Sequence, residues 1–227
     1  MATTLQDIVK SLKAQGYVVY TQPYKLNVVG IRSADETSLY FNDKIAFFWY
    51  DDRGQLTGKI APATTDPSVY YLRDNPMNSS GTAILKSGQY IDAYKIGSHR
   101  GKYTALVQSK PVTVIRDNDR NDLLNFFAKT QTGLFGINIH KSSSGKADSL
   151  VIGPDSAGCQ VFQNPEDFLQ MMSAAQTSSS KYGNNFTYTL LDERDVYKKL
   201  RNFSLLGVGL ILFGVGGYIF YRKIVKK

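Results

Sequence analysis

One loop-rich segment, residues 136–162, contains the only cysteine of this 227-residue chain, Cys159, and one of its two histidines, His140. A thiol is an effective nucleophile as the thiolate, and a neighbouring imidazole that accepts its proton is a common way to form one. We therefore interpret His140 and Cys159 as a candidate base and nucleophile. Gly158 lets the backbone beside the sulfur approach a substrate, amides near Cys159 could contribute to an oxyanion hole, and Ser156 can orient a neighbouring group.

Other interpretations of these residues stay open. A single cysteine is more often a small buried apolar side chain, and a histidine next to Lys141 is more often a surface residue. A metal site is a weaker interpretation, because one cysteine and two histidines supply few ligands and neither an HExxH nor a CxxC motif is present. We expect no metal and no cofactor.

Short apolar runs rich in β-branched and aromatic residues predict a mainly β, antiparallel domain over residues 17–195, with a few short helices. The clearest hairpin is IAFFWY-DDRG-QLTGKI, in which an Asp-Arg-Gly turn separates two strands. FGINIH also alternates like a strand and would carry His140 at its end. Further strands are expected in SVYYL (68–72), YIDAYKIG (90–97), YTALVQ (103–108), VTVIRD (112–117) and FTYTLL (186–191).

Helices are expected at three places. In the N-terminal segment 1–16, residues 2–15 are expected to form an amphipathic helix that Gly16 caps, and the charged residues of this segment exclude a secretory signal peptide. Asn164 caps a second helix that opens with Pro165, and residues 119–129 form a helical turn or two. The serine-rich stretch 177–180 indicates an exposed loop.

The C-terminal segment differs in kind. Residues 203–221 contain no charged residue and are long enough to cross a bilayer, which predicts a single transmembrane helix between a basic juxtamembrane linker (196–202) and a basic tail (222–227). We expect a single-pass membrane protein with a C-terminal anchor. The tail supplies several of the positive charges behind the net charge of +8, and no basic stripe interleaved with aromatics indicates nucleic-acid binding.

The order His140, fifteen residues, then Ser156-Ala157-Gly158-Cys159 resembles the signature of the L,D-transpeptidase catalytic-domain (YkuD-like) family. In that family a histidine precedes a Ser/Thr-His-Gly-Cys block by a similar interval, and GINIHK looks like the family's GIHG strand end. Residues 63–72 look loosely like the start of the family's TPtGxF strand. The resemblance covers roughly residues 59–162 and is specific in its second half.

The resemblance implies that Cys159 attacks the carbonyl of a peptidoglycan stem peptide to form a thioester, with His140 as the base. Ser156 matches the Ser/Thr of the block and Gly158 the glycine beside the nucleophile. Three positions depart from the family: Ala157 replaces the second histidine, Lys141 replaces the glycine after the base, and Val161 replaces an arginine that helps to bind a substrate carboxylate.

His99 and Arg100, in GSHRGKYTALVQ, could replace the missing cationic contact if their loop lies over the site, because a guanidinium holds a carboxylate bidentately. The alternative is an exposed turn between strands, with Gly97 and Gly101 serving backbone conformation.

The expected function is therefore a membrane-anchored cysteine acyl-transfer enzyme facing the cell wall, or part of a phage particle, with a transpeptidase, carboxypeptidase or endopeptidase outcome. Its partners would be stem peptides and the membrane, and not nucleic acid. One alternative is a noncatalytic membrane-anchored structural or cell-wall-binding module that keeps the fold. Another is an adhesion or virion-associated anchor protein, unrelated to the family, in which Cys159 is buried and inert.

Overall fold

The computed structural model describes residues 3–143 and 150–196 of the chain. Within them, the helices are α1 (Leu5–Ala14) and α2 (Pro165–Tyr182), residues 193–196 are also helical, and a π-helical turn spans Tyr70–Asp74. The strands are β1 (Asn27–Arg32), β2 (Asp43–Tyr50), β3 (Leu56–Thr64), β4 (Thr82–Leu85), β5 (Gly88–His99), β6 (Tyr103–Gln108), β7 (Val112–Asp117), β8 (Thr130–Gly133), β9 (Ile139–Lys141), β10 (Gln160–Phe162) and β11 (Phe186–Asp192).

Eight strands form a closed barrel in the order β1-β11-β5-β6-β9-β10-β3-β2, and β4, β7 and β8 form a separate three-stranded sheet. The predicted β-rich character is thus confirmed, including the hairpin of β2 and β3. Most pairs are antiparallel, but β1 pairs with β11 and β9 with β10 in parallel. A parallel pair needs a long connection that returns the chain to the same end, and such a connection leaves no local turn signal in the sequence.

Two apolar layers hold the barrel together. Its interior is filled by side chains from the strands and from one face of α2, including Phe47, Tyr94 and Phe162. On the outer side, α1 places Ile8 and Leu12 against β1 and β2 in a second cluster. Because β1 is covered on both faces, all six of its residues are buried.

The predicted N-terminal and second helices both form, and their caps agree with the sequence signals. Thr4 and Asp7 make a reciprocal capping box at α1, and the Asn164 side chain accepts from the Glu166 amide at 2.9 Å. The serine stretch 177–180, expected as a loop, lies inside α2 with Ser178 buried. The barrel surface that supports α2 outweighs the weak helix propensity of these serines.

Two local predictions are wrong. The second half of the expected strand SVYYL (68–72) belongs to the π-helical turn Tyr70–Asp74, which starts where the Ser68 carbonyl accepts from the amides of Tyr71 and Leu72. Residues 119–129 form no helix, because Asn121 and Asn125 each accept a hydrogen bond from the amide two residues ahead. Such side-chain bonds compete with helical hydrogen bonding.

The predicted transmembrane helix at 203–221, its basic linker at 197–202 and the basic tail lie outside the described residues. Among residues 3–143 and 150–196, no helix is both long and apolar enough to cross a membrane.

Candidate active site

The parallel pair β9 and β10 brings the predicted nucleophile and base to one place. In its register Val161 lies opposite His140, so the residue that enters β10, Cys159, lies beside Asn138. The Asn138 amide donates to Cys159 Sγ at 3.4 Å, and the Gln160 amide donates to the Asn138 carbonyl at 2.8 Å. The histidine and the cysteine, nineteen positions apart in sequence, therefore lie on or next to adjacent strands.

Cys159 is a buried, protonated thiol. Its side chain is 7% exposed, and Sγ donates to the Gly136 carbonyl at 3.4 Å. Burial raises the pKa of the thiol above its ordinary value, although the Asn138 amide and the positive charge of Arg100 oppose that rise. As a candidate nucleophile, Cys159 would therefore need a base during a reaction, because it is not a preformed thiolate.

His140 is a neutral imidazole whose free nitrogen is defined by a backbone contact. Nδ1 lies 2.8 Å from the Lys141 carbonyl, which can only accept, so Nδ1 carries the proton and Nε2 carries the lone pair. Within the described part of the chain, Nε2 is buried and has no hydrogen-bond partner. Burial lowers the pKa of His140 to about 4. Nε2 is thus an available proton acceptor that does not contact the thiol at rest.

The second histidine of the chain belongs to the same cluster. The rings of His99 and His140 stack with centroids 4.2 Å apart, and the Asn138 side-chain amide lies 3.0 Å from His99 Nδ1. His99 is only 5% exposed, and burial lowers its pKa. The prediction placed His99 in a substrate-contacting loop, whereas the structure buries it at the end of β5, where its ring supports the base. Asn138 links His99 to Cys159.

Arg100 follows His99 in the tight turn between β5 and β6. Arg100 and Gly101 both have positive φ, 51° and 70°, as the two central residues of a type I′ turn require. The Lys102 amide closes the turn on the His99 carbonyl at 3.0 Å. The exposed guanidinium of Arg100 lines the same cavity as Cys159, which is the position that a contact with a substrate carboxylate needs.

Ser156 and Gly158 shape the turn that precedes the cysteine. The buried Ser156 hydroxyl lies 2.6 Å from the Asp66 carbonyl and 2.8 Å from the Cys159 carbonyl, and it accepts from the Gly158 amide at 3.2 Å. Gly158 has φ +118°, and a Cβ there would come within 2.3 Å of the Ala83 carbonyl oxygen. Ser156 is therefore a positioning residue, and the Gly158 amide is already hydrogen-bonded within the turn.

A buried polar layer fixes this turn to the barrel. Asp66, whose carbonyl faces Ser156, pairs with Arg32 at 2.7 Å, and both side chains are 3% exposed. Gln160 donates to the Thr65 carbonyl at 3.2 Å and accepts from the Tyr188 hydroxyl at 2.7 Å. Because each of these groups has a partner, the layer fixes the turn that carries Cys159 to the strands behind it.

The cysteine opens into a cavity of about 460 Å³ between the barrel and the small sheet. His99, Arg100 and Asn138 line it beside Cys159, together with Arg116, which the sequence interpretation missed. Alternate residues of the strand VTVIRD share a face, and on its face Arg116 follows two apolar residues. This change from apolar to charged was the signal that could have identified Arg116. For Asn138, the available signal was a polar residue between two isoleucines.

The departures from the family pattern have distinct environments. Ala157 lines the cavity, so the position of the missing histidine faces the space beside the thiol. Val161 is fully buried in an apolar cluster that includes Cys159, Phe41 and Ile152, and it does not line the cavity. Lys141 contributes its carbonyl to the base, a role that any residue type can fill.

Comparison of the chain with protein-family models and with curated proteins finds no match. Among the described residues, no group of three His, Cys, Asp or Glu side chains is arranged to hold a metal ion.

Proposed function

We propose that this protein is a cysteine acyl-transfer enzyme of the L,D-transpeptidase type that acts on peptidoglycan stem peptides. The observation that carries the proposal is the clustering of the only cysteine and both histidines of the chain: Cys159 and His99 line one cavity, and His140 stacks on His99. Chance placement of three such rare side chains in one cluster would be unusual. The order of His140 and the Ser156–Cys159 turn supports the resemblance to that family.

The chemistry follows from the protonation states. His140 Nε2 takes the proton of the Cys159 thiol as Sγ attacks a substrate carbonyl, so the C–S bond forms while the S–H bond breaks. The imidazolium then protonates the leaving amine as the C–N bond breaks, which leaves a thioester. Water or a second amine then attacks the thioester carbonyl while His140 takes its proton, and the C–S bond breaks as the imidazolium returns that proton to the Cys159 sulfur. The Asn138 amide stabilises negative charge on sulfur.

The low basicity of His140 and the high pKa of the thiol oppose an ion pair at rest. Burial disfavours both the isolated thiolate and the isolated imidazolium, so charge develops only when the two side chains and the substrate are in contact. A neutral resting pair also protects the thiol from adventitious reaction. The proposed anchor at 203–221 would keep this site near the envelope.

A second candidate function is a noncatalytic cell-wall-binding module. The observation that favours it is the absence, within the described chain, of any hydrogen-bond partner for His140 Nε2, so the thiol is not primed. Such a module would bind a stem peptide in the same cavity without turnover.

Mass spectrometry of stem peptides after incubation with the protein separates the two functions. The wild type should change the peptide mass or carry an acyl adduct on Cys159, and the Cys159→Ala variant should do neither while remaining folded. His140→Gln should slow turnover about a hundredfold or more, because general-base catalysis typically contributes that factor. Peptides that bind but stay unchanged with the wild type would establish the binding module.

A further inference from the structure

Arg116 is held in a fixed orientation in the cavity of Cys159. Its Nε donates to the Gln131 side chain at 2.8 Å, and its Nη1 donates to the Gly81 carbonyl at 3.3 Å. The guanidinium lies 4.7 Å from the ring centroid of Phe135, which supports one of its faces. These contacts come from three separate segments, so the guanidinium is positioned before any ligand binds.

The charge of Arg116 has no counter-ion in the described structure. Its polar contacts are a neutral amide oxygen and a carbonyl oxygen, and no ion pair involves Arg116 or Arg100 among residues 3–143 and 150–196. No aspartate or glutamate of the described chain lines the cavity. Partial burial also lowers the pKa of Arg116, the direction expected for a cation that has lost water without gaining an anion.

A cavity with two arginines and no described carboxylate favours an anionic ligand group. A planar guanidinium binds a carboxylate through two parallel hydrogen bonds, and it cannot form the same charge-assisted pair with a carboxamide. Arg116 is the better oriented of the two, because Arg100 is exposed on a turn. Val161, at the position of the family's arginine, is buried and does not line the cavity. Among the described residues, the cationic side chains beside Cys159 are therefore the two cavity-lining arginines.

We infer that Arg116 selects substrates that carry a free carboxylate near the attacked carbonyl, so that stem peptides amidated at this group are poor substrates. This inference rests on the proposed function and names the substrate class of the same site. The carboxylate is either the C-terminal group of the peptide or a side-chain group, and both would make the same contact.

Binding of three peptides to the full-length Cys159→Ala variant tests the inference without requiring turnover. The peptides are one stem peptide with all carboxylates free, its C-terminal carboxamide, and its side-chain carboxamide. We expect one amidation to weaken binding about ten- to hundredfold, as is typical for loss of a charge-assisted hydrogen bond. The peptide that loses affinity identifies which carboxylate is recognised.

In Arg116→Gln on the same background, the free and amidated peptides should bind equally weakly. Arg116→Lys should recover part of the preference for the free carboxylate, because lysine keeps the positive charge but cannot donate two parallel hydrogen bonds from a planar group. Arg53→Gln, which removes an equal charge from the exposed turn between β2 and β3, should preserve the full preference.

The inference is overturned if neither amidation changes affinity by more than about twofold, or if the penalty persists in Arg116→Gln. Turnover by the wild type is measured separately on the same peptides. Cys159-dependent turnover of all three peptides at equal rates would retain the proposed function and reject the selectivity. Carboxylate-dependent binding without turnover would reject the enzyme and retain the selectivity.

Discussion

At the scale of single residues, the state of Cys159 departs from the simplest picture of an activated thiol. Because burial raises the pKa of this thiol, we expect slow alkylation by iodoacetamide below about pH 8.5, with a rate that rises steadily at higher pH. His140→Gln should leave that rate unchanged, because Nε2 makes no resting contact with the sulfur in the described structure. A rate plateau at neutral pH that disappears in His140→Gln would contradict this prediction.

His140 makes stability depend on pH in a defined direction. Its pKa is about 4 in the folded protein and near 6.5 in an unfolded chain, so between these values the unfolded state binds more protons. The free energy of unfolding should therefore fall as pH drops from about 6.5 to 4, by about 3 kcal/mol from this group.

Urea unfolding of wild type and His140→Gln at pH 7 and pH 4.5 measures this contribution by difference. Burial and the charge of Asp66 raise the pKa of Asp43 to about 7, which makes stability fall with rising pH and opposes the histidine. That opposing contribution is shared by both proteins and cancels. Parallel pH profiles for the two proteins would show that His140 is not held neutral by the fold.

At the scale of elements, the turn from Ser156 to Cys159 tests how tightly the nucleophile is positioned. Gly158→Ala should destabilise the fold through both its positive φ and the contact of the new Cβ with the Ala83 carbonyl. Gly16→Ala is the matched control, since Gly16 has φ +73° and a Cβ added there would meet nothing within 4 Å among the described residues.

We expect Gly16→Ala to lower the free energy of unfolding by about 1 to 2 kcal/mol, the cost of a left-handed conformation. Gly158→Ala should cost about 1 to 3 kcal/mol more, as overpacking typically does. Trp49, the only tryptophan, reports unfolding by fluorescence. Equal costs at the two sites would mean that the turn can move away from Ala83 freely.

In the whole molecule, one apolar cluster joins α1, the barrel strands β1 and β2, and the end of the described chain. Val196, which the sequence interpretation assigned to the linker, is fully buried in the cluster of Ile8 and Leu12. Val196→Ala should therefore lower the free energy of unfolding by about 1 to 3 kcal/mol. Val18→Ala, at a site 47% exposed, should change it by less than about 0.5 kcal/mol.

Unfolding of both variants in urea, again followed through Trp49, gives the comparison. A Val196→Ala effect as small as that of Val18→Ala would show that α1 and the end of the described chain are not part of the folded core. The same burial indicates that a soluble fragment should end beyond Val196 and not at Asp195.

Features with local signals were predictable from the sequence. The capping residues of both helices, the β2–β3 hairpin and most strands follow from patterns within about ten residues, which is the range over which backbone hydrogen bonds and side-chain periodicity act. The candidate nucleophile and base were also identifiable, because a chain with one cysteine and two histidines offers few choices. The helix over residues 119–129 failed because Asx turns share the composition of a helix start.

The membership of the site and the protonation states of its residues depend on contacts between distant parts of the chain. His99, Asn138 and Arg116 reach the cavity from three strands or strand ends that are distant in sequence, and parallel pairing of β9 with β10 sets the position of Cys159. The raised pKa of the thiol and the lowered pKa of His140 arise from burial by residues across the barrel. Burial depends on contacts between distant segments, and no spacing within one segment of the chain encodes it.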